Sequence, residues 1–189
     1  PRAGLAQRLK IDLLTEDAAR KAAIKPQLLS SLGQSLLLID PQVEAVNEFT
    51  MGAPRRDAGR GANEVERTIR LTRAFYLATT EVTNAQFRQF TADHDSGQAG
   101  GKSLNREHQP AVDLSWQQAA SFCNWLSARE GLEPFYKERD GIIIGFDEKS
   151  IGYRLPSEAE WAYASRIHDT DIWRFAWGDA WPPANNSAN

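Results

Sequence analysis

Short apolar runs separated by turn-forming residues make up most of the chain after residue 33. Runs of this length, bounded by Gly, Pro, Asn and Asp, are typical of short strands. The runs at 36–39, 49–51, 68–71 and 75–78 are predicted to be strands. Asp140-Gly141, directly before the apolar run 142–144, predicts a hairpin turn. The Gly-, Pro- and Arg-rich stretch 53–63 and the polar stretch 97–109 are predicted to be loops.

Two helices are predicted from the residues at their starts. Thr83 and Gln86 have the spacing of a capping box, in which two polar side chains satisfy backbone amides of the first turn. The same box recurs at Ser115 and Gln118. After Ser115, apolar residues follow the spacing of one buried helix face. They are Ala119, Phe122, Cys123 and Leu126. The helix is predicted to end at Gly131.

Residues 1–33 carry an imperfect apolar stripe of helical period, interrupted by Pro26 and ending near Gly33. The stripe consists of Leu5, Leu9, Ile11, Leu13 and Leu14. We interpret the segment as a connecting helix that packs on a domain formed by residues 34–189, because apolar helical stripes usually bury against something nearby. The alternative is a tether to an upstream module.

The longest ordered motif runs from Gly152 to Trp161 and reads Gly-Tyr-Arg-Leu-Pro-Ser-Glu-Ala-Glu-Trp. Its first half predicts a strand that Pro156 stops, because the residue before a proline is restricted to extended backbone. Ser157 then predicts the cap of a helix. Glu160, three residues further on, completes a third capping box.

This motif and several others, in the same order over residues 36–189, resemble the formylglycine-generating enzyme family, also called the sulfatase-modifying factors. The other motifs are Phe49-Thr50-Met51-Gly52, Glu81-Val82-Thr83-Asn84-Ala85-Gln86-Phe87, Pro110-Ala111-Val112 with Ser115-Trp116, Cys123-Asn124-Trp125-Leu126, Trp177-Gly178-Asp179 and Ala188-Asn189. The resemblance implies an α+β domain with an irregular C-type-lectin-like fold of short strands, a few short helices and much loop. Six tryptophans and eight phenylalanines are compatible with a core of that kind.

The resemblance implies two alternative functions, both directed at a protein or peptide partner. Catalytic family members oxidise a cysteine of a target protein to formylglycine with dioxygen, and they hold copper with two cysteines. Those cysteines would lie beyond the position matched by Asn189, so the chain corresponds to the N-terminal two-thirds of the family domain. The alternative is a non-catalytic binding or regulatory module on the same fold. Modification of a small molecule is a third possibility.

Composition and charge limit the class of partner and the cellular location that fit the sequence. A net charge of −3 and a pI near 5.7 argue against a nucleic-acid partner. No apolar run approaches the roughly 20 residues of a membrane span. The absence of an initial methionine indicates a processed or longer parent protein. The sequence does not define the oligomeric state or the compartment, although an extracytoplasmic location, periplasmic or secreted, is favoured.

The single cysteine, Cys123, is a candidate nucleophile or copper ligand. We interpret it instead as a packing residue, because it shares the predicted inner helix face with Phe122 and Leu126. By resemblance, its position forms a structural disulfide in some relatives. Glu158 and Glu160 form a candidate acid–base pair, but carboxylates in a first helical turn are usually structural. No catalytic residue is therefore assigned.

Two groups of residues are candidate metal ligands. The histidines share no metal-ligand spacing and are interpreted as loop or surface residues: His94, His108 and His168. The polar tail offers oxygen ligands of the kind that calcium prefers: Asp179, Asn185, Asn186 and Asn189. By resemblance, Asn189 begins a calcium site that later residues complete. The predicted metal residue is Asn189 with calcium, and copper is expected only if sequence beyond this chain supplies the cysteine pair.

Overall fold

A computed structural model describes residues 25–42, 47–57, 60–168, 171–180, 182 and 184. Within these residues the strands are β1 (Gln27–Leu29), β2 (Ser35–Ile39), β3 (Glu48–Met51), β4 (Arg67–Arg70), β5 (Phe75–Ala78), β6 (Gln98–Ala99), β7 (Lys102–Ser103), β8 (Tyr136–Arg139), β9 (Ile142–Phe146), β10 (Ile167–His168) and β11 (Asp171–Ile172). The helices are α1 (Asn84–Phe87), α2 (Trp116–Arg129) and α3 (Glu158–Arg166). The rest of the described chain is turn, bend and loop, which confirms the predicted α+β architecture.

The strands of the described residues form small antiparallel sheets. The largest has the order β1-β2-β5, in which Leu36 of β2 pairs with both Leu28 and Ala78. Two-stranded sheets are formed by β3–β4, β6–β7, β8–β9 and β10–β11. The four strands predicted between residues 36 and 78 coincide with β2, β3, β4 and β5 to within one residue at each end.

The predicted connecting helix over residues 1–33 is corrected at its described end. Residues 27–29 form strand β1, which pairs with β2. The amide of Leu38 also donates to the carbonyl of Pro26 at 2.9 Å. The chain forms a strand here because Pro26 interrupts the helical pattern and β2 supplies partners for its backbone groups. Residues 1–24, and with them the rest of the predicted helix, lie outside the described residues.

Helix α2 carries much of the buried core on one face. Its buried apolar residues are Ala120, Phe122, Cys123 and Leu126. Phe122 packs on Phe87 of α1, with ring centroids 5.3 Å apart. Three of the four positions predicted for this face are confirmed. Ala119 is only partly buried, because its neighbour Ala120 makes the contact with Tyr136 of β8.

A second packing unit joins α3 to β3. Tyr163 of α3 is fully buried, and its ring centroid lies 5.6 Å from that of Phe49. Arg166 lies over the same Phe49 ring and donates to the carbonyl of Thr50 at 3.1 Å. Strand β3 and helix α3 therefore meet in one packing unit, although Thr50 and Arg166 are more than a hundred positions apart in the sequence.

The predicted strand before Pro156 is wrong, because residues 152–155 lie outside any strand or sheet. Their amides bind side-chain oxygens instead of a neighbouring strand. Tyr153 N–H donates to Oγ of Ser127 at 2.8 Å, and Leu155 N–H donates to the hydroxyl of Tyr136 at 3.1 Å. Side-chain acceptors satisfy these groups as well as a strand partner would.

The local signals for helix starts and turns are confirmed. Thr83, Ser115 and Ser157 each form a complete capping box at the start of α1, α2 and α3. Asp140 and Gly141 have positive φ values of 51° and 76° and link β8 to β9 in a hairpin. Both features depend on residues at most three positions apart, which explains why the sequence alone predicts them.

Gly52 shows why the Phe-Thr-Met-Gly motif ends in glycine. Its φ is 93°, a conformation that residues with a Cβ rarely adopt. A Cβ at this position would also lie 2.5 Å from the carbonyl oxygen of Val65. The glycine therefore allows the close approach of the chain after β3 to the chain before β4.

Candidate functional site

Cys123, the candidate nucleophile, is buried in the α2 core. It is 8% exposed and packs with Ala120 and Tyr136. Burial, opposed by the charge of Arg154, raises the pKa of Cys123 to about 12. A thiol with this pKa is protonated at neutral pH, whereas the thiolate is the nucleophile and metal ligand. The environment therefore favours the predicted packing role.

We expect Cys123 to react slowly with Ellman's reagent in the native protein and rapidly in denaturant. With a pKa of about 12, its thiolate fraction at mildly alkaline pH is about a thousandfold below that of free cysteine, whose pKa is about 8.5. The measurement is the time course of thionitrobenzoate release. The denatured chain is the control and should release one equivalent, since the sequence has one cysteine. A native reaction as fast as the denatured one would contradict this position for Cys123.

The Gly152–Trp161 motif builds a bidentate ion pair at the start of α3. Arg154 donates from its two terminal nitrogens to the two carboxylate oxygens of Glu160, at 2.7 and 2.5 Å. The amide of Ser157 donates to the same carboxylate at 2.8 Å. Burial alone would raise the pKa of Glu160, but the bonds from Arg154 and Ser157 outweigh burial and hold the pKa below its usual value. Arg154 thus forms its ion pair with Glu160.

Glu160→Gln is expected to lower the free energy of unfolding by about 1–2 kcal/mol at neutral pH, because the amide keeps one acceptor oxygen for Arg154 and loses both the second bond and the negative charge. The pKa of Glu160 is lower in the folded than in the unfolded protein. Its stabilisation is therefore complete above the usual glutamate pKa of about 4.3 and is lost as pH falls through the folded pKa. Urea unfolding at neutral pH and at about pH 3 should show the difference from wild type shrinking in acid.

Glu158→Gln is the matched control for this prediction. Glu158 lies in the same first turn and also interacts favourably with the helix dipole, but the bidentate pair belongs to Glu160. Its replacement is expected to cost no more than about 0.5 kcal/mol. Equal losses for the two variants would show that the Arg154 pair contributes nothing beyond the helix dipole.

A polar cluster is buried beside α1. Asn84 is fully buried and donates to the carbonyls of Leu104 and Arg106 at 2.8 and 2.9 Å. Its Oδ1 accepts from Oγ of Ser96 at 2.6 Å, and Nε2 of His94 lies 3.0 Å from the same hydroxyl. These bonds tie the long loop after α1 to the helix, so the cluster is structural.

The histidines differ in their surroundings. His94 lies in a loop, as predicted, but it is only 9% exposed because it packs against Phe87 and Ser96. His108 and His168 are exposed. Among the described residues, no group of three or more His, Cys, Asp or Glu side chains is placed to hold a metal ion.

The predicted calcium residue, Asn189, lies outside the described residues, as do Asn185 and Asn186. Asp179 is described, and its Oδ1 accepts the amide of Arg174 at 2.7 Å. The oxygen ligands proposed for calcium are therefore present in the structure only at Asp179, and the calcium site stays a prediction.

An open groove of about 450 Å³ runs along the outer side of α2. Its apolar walls are formed by Phe90, Trp125, Ala128 and Pro134, and its polar end by Ser121 and Glu138. The Glu138 carboxylate is exposed and lies 3.3 Å from Oγ of Ser121 and 3.4 Å from Nδ2 of Asn124. Within the described residues this groove combines apolar surface with an accessible charge.

The groove is not predicted by the hydrophobic pattern of the sequence. The available signal was on α2, where Ser121, Trp125 and Ala128 recur at helical spacing on the side opposite the predicted core face. Glu138 gave no such signal, because it reaches the groove only through the pairing of β8 with β9 and the packing of that hairpin on α2. The groove therefore depends on tertiary contacts.

The small antiparallel sheets, capped short helices and aromatic clusters define an irregular C-type-lectin-like α+β domain. The sulfatase-modifying factor enzyme 1-like domain matches residues 45–189, more than half of the chain. The chain therefore belongs to the FGE-sulfatase family.

One curated protein and two solved structures are similar to this chain. A chaperone protein LppX from Paenibacillus barcinonensis is 33% identical over 105 residues, which cover 48% of this chain and 35% of that protein. The variable protein 1 of Treponema denticola has a TM-score of 0.60 at 23% identity, with 83% of this chain and 62% of that one covered. The crystal structure of CarF has a TM-score of 0.50 at 24% identity, with 71% and 64% covered. The chain thus spans about a third of the curated relative and under two thirds of each solved chain.

The described part of the chain contains no helix that is both long and apolar enough to cross a membrane.

Proposed function

We propose that this chain is the target-recognition part of a formylglycine-generating-enzyme-like protein and does not itself carry out the oxidation. The observation that carries the proposal is the burial of Cys123, the single cysteine of the sequence. The chaperone name of the Paenibacillus barcinonensis relative supports a role in binding another protein. The partner is a protein or peptide.

Copper does not fit the described residues. Copper in the oxidising members needs two thiolates, and here one protonated thiol lies inside the core. The family match favours a second candidate function, oxidation of a target cysteine to formylglycine with dioxygen by a longer polypeptide. In that case the cysteine pair comes from sequence outside this chain, and this chain supplies the scaffold.

The oxidation test uses a synthetic cysteine-bearing peptide incubated with this chain, cuprous ion, a thiol reductant and dioxygen. We expect the peptide mass to remain unchanged, since Cys123 is neither accessible nor ionised. A formylglycine-generating enzyme run in parallel is the positive control. Formation of the aldehyde peptide by this chain would overturn the proposal that it recognises the target without oxidising it.

The recognition test selects peptides from a random phage-displayed library on the folded chain. Selected peptides are then synthesised and titrated into ¹⁵N-labelled protein. We expect saturable shifts of backbone amides, and no binding to the urea-unfolded chain. A library that shows no enrichment on the folded chain over the unfolded one would contradict a recognition function.

The proposal includes an extracytoplasmic location and calcium bound at Asn189. Fractionation of the source cells with an antibody tests the location, and a cytoplasmic signal would contradict it. Calcium titration by calorimetry, repeated with Asn189→Ala, tests the ion. An unchanged binding isotherm in the variant would exclude Asn189 as a ligand.

A further inference from the structure

We propose that the groove along α2 binds a lysine side chain presented by the protein or peptide target, an inference that rests on the recognition function proposed above. The groove has an apolar trough and one accessible carboxylate at its end, Glu138. A side chain that matches this arrangement has an aliphatic stem and a terminal cation. The charge of Glu138 therefore selects the class of occupant.

The outer edge of β8 is closed to strand addition at this point. Nδ2 of Asn124 donates to the carbonyl of Tyr136 at 2.9 Å, and the amide of Tyr136 donates to Oδ1 of Asn124 at 3.1 Å. The Asn124 side chain thus makes the pair of bonds that an added strand would make. A partner engages this groove with a side chain and not with its backbone.

The apolar trough fits the stem of a long side chain. Trp125, Ala128 and Pro134 line it, and Trp125 offers an aromatic surface. The guanidinium of Arg129 lies over the Trp125 ring, 5.4 Å from its centroid. This positive charge disfavours a second cation at the Trp125 end of the groove. The cation of the occupant is therefore directed toward Glu138.

The contacts that the Glu138 carboxylate already makes favour lysine over arginine as the occupant. The contacts from Ser121 and Asn124, at 3.3 and 3.4 Å, both fall on Oε2. A bidentate arginine needs both oxygens in parallel, whereas an ammonium needs only one acceptor and adapts its direction. Oε1 of Glu138 and the lone pairs of the Ser121 hydroxyl are suited to an ammonium.

The experiment titrates three capped pentapeptides into ¹⁵N-labelled protein and follows the indole N–H of Trp125 and the amides of α2. The probes are Ala-Ala-Lys-Ala-Ala and its arginine and norleucine counterparts. We expect the lysine peptide to bind about three- to five-fold more tightly than the other two, the range that an exposed ion pair supports. Norleucine keeps the apolar stem and lacks the charge.

Two variants locate the interaction. Glu138→Gln should reduce binding of the lysine peptide to the level of norleucine and leave norleucine binding unchanged. Ala128→Phe fills the trough from an exposed helix position and should abolish binding of all three peptides. Glu148→Gln, which makes the same charge change at an exposed position after β9, is the control and should have no effect. Urea unfolding of each variant verifies that it is folded.

The lysine groove would be overturned by equal binding of the three peptides, by chemical-shift changes confined to residues outside α2, or by the absence of any chemical-shift change. The outcome is separable from that of the recognition function. Library-selected peptides that bind wild type and Glu138→Gln equally would leave the recognition function standing and overturn the lysine groove. If the library yields no selected peptide and the pentapeptides cause no chemical-shift changes, the recognition function and the lysine groove are both overturned.

Discussion

Gly152→Ala is expected to lower the free energy of unfolding by about 3 kcal/mol. A Cβ at residue 152 would lie 2.3 Å from the carbonyl oxygen of Glu133 and 2.9 Å from Oγ of Ser127. The Ser127 hydroxyl cannot rotate away without breaking hydrogen bonds, because it accepts the amide of Tyr153 and donates to the carbonyl of Cys123, both at 2.8 Å. The main chain would have to move, and the Tyr153 and Ser127 bonds would be distorted.

Urea unfolding of the variant measures this loss, and Gly145→Ala is the matched control. Gly145 lies in β9, its φ is outside the left-handed region, and nothing would lie within 4 Å of its added Cβ. We expect the control to change stability by less than about 1 kcal/mol. Similar losses for the two variants would show that the loss at Gly152 arises from glycine backbone freedom and not from overlap with Glu133.

The starts of helices were predictable because their signals are local. Ser115 and Gln118 are three residues apart, and they form the same reciprocal bonds in the structure that their spacing predicts. The hairpin at Asp140-Gly141 depends on the positive φ values of two adjacent residues. Neither feature needs information from elsewhere in the chain.

The errors arose where a distant partner decides the conformation. The segment before Pro156 was predicted as a strand, but its amides bind Ser127 and Tyr136, which lie 26 and 19 positions from their partners. Residues 27–29 form a strand because β2 pairs with them. A single sequence does not show these neighbours.

The family motif predicts the scaffold and not the chemistry. Within it, Ser157 and Glu160 cap α3, Arg154 pairs with Glu160, and Gly152 allows the close approach to Glu133. Each of these residues acts on packing or on backbone amides. The same scaffold carries different functions when its surface changes, so the function must be read from the groove and from exposed residues such as Glu138.

Asn84→Ala is expected to lower the free energy of unfolding by about 3–4 kcal/mol, because it removes a fully buried side chain that bonds three partners at once. The carbonyls of Leu104 and Arg106 would lose donors at 2.8 and 2.9 Å, and the Ser96 hydroxyl would lose its acceptor at 2.6 Å. Each buried group left without a partner costs about 1–3 kcal/mol. Helix α1 is only four residues long, so it cannot hold the following loop by itself.

Chemical denaturation compares this variant with Asn84→Asp and Asn63→Ala. Aspartate keeps the shape and one acceptor oxygen but turns a charged oxygen toward the carbonyls of Leu104 and Arg106, so we expect it to be at least as destabilising at neutral pH. Asn63 is exposed, and its replacement should cost no more than about 0.5 kcal/mol. A loss below about 1 kcal/mol for Asn84→Ala would mean that water replaces the amide, and the cluster would then not fix the loop.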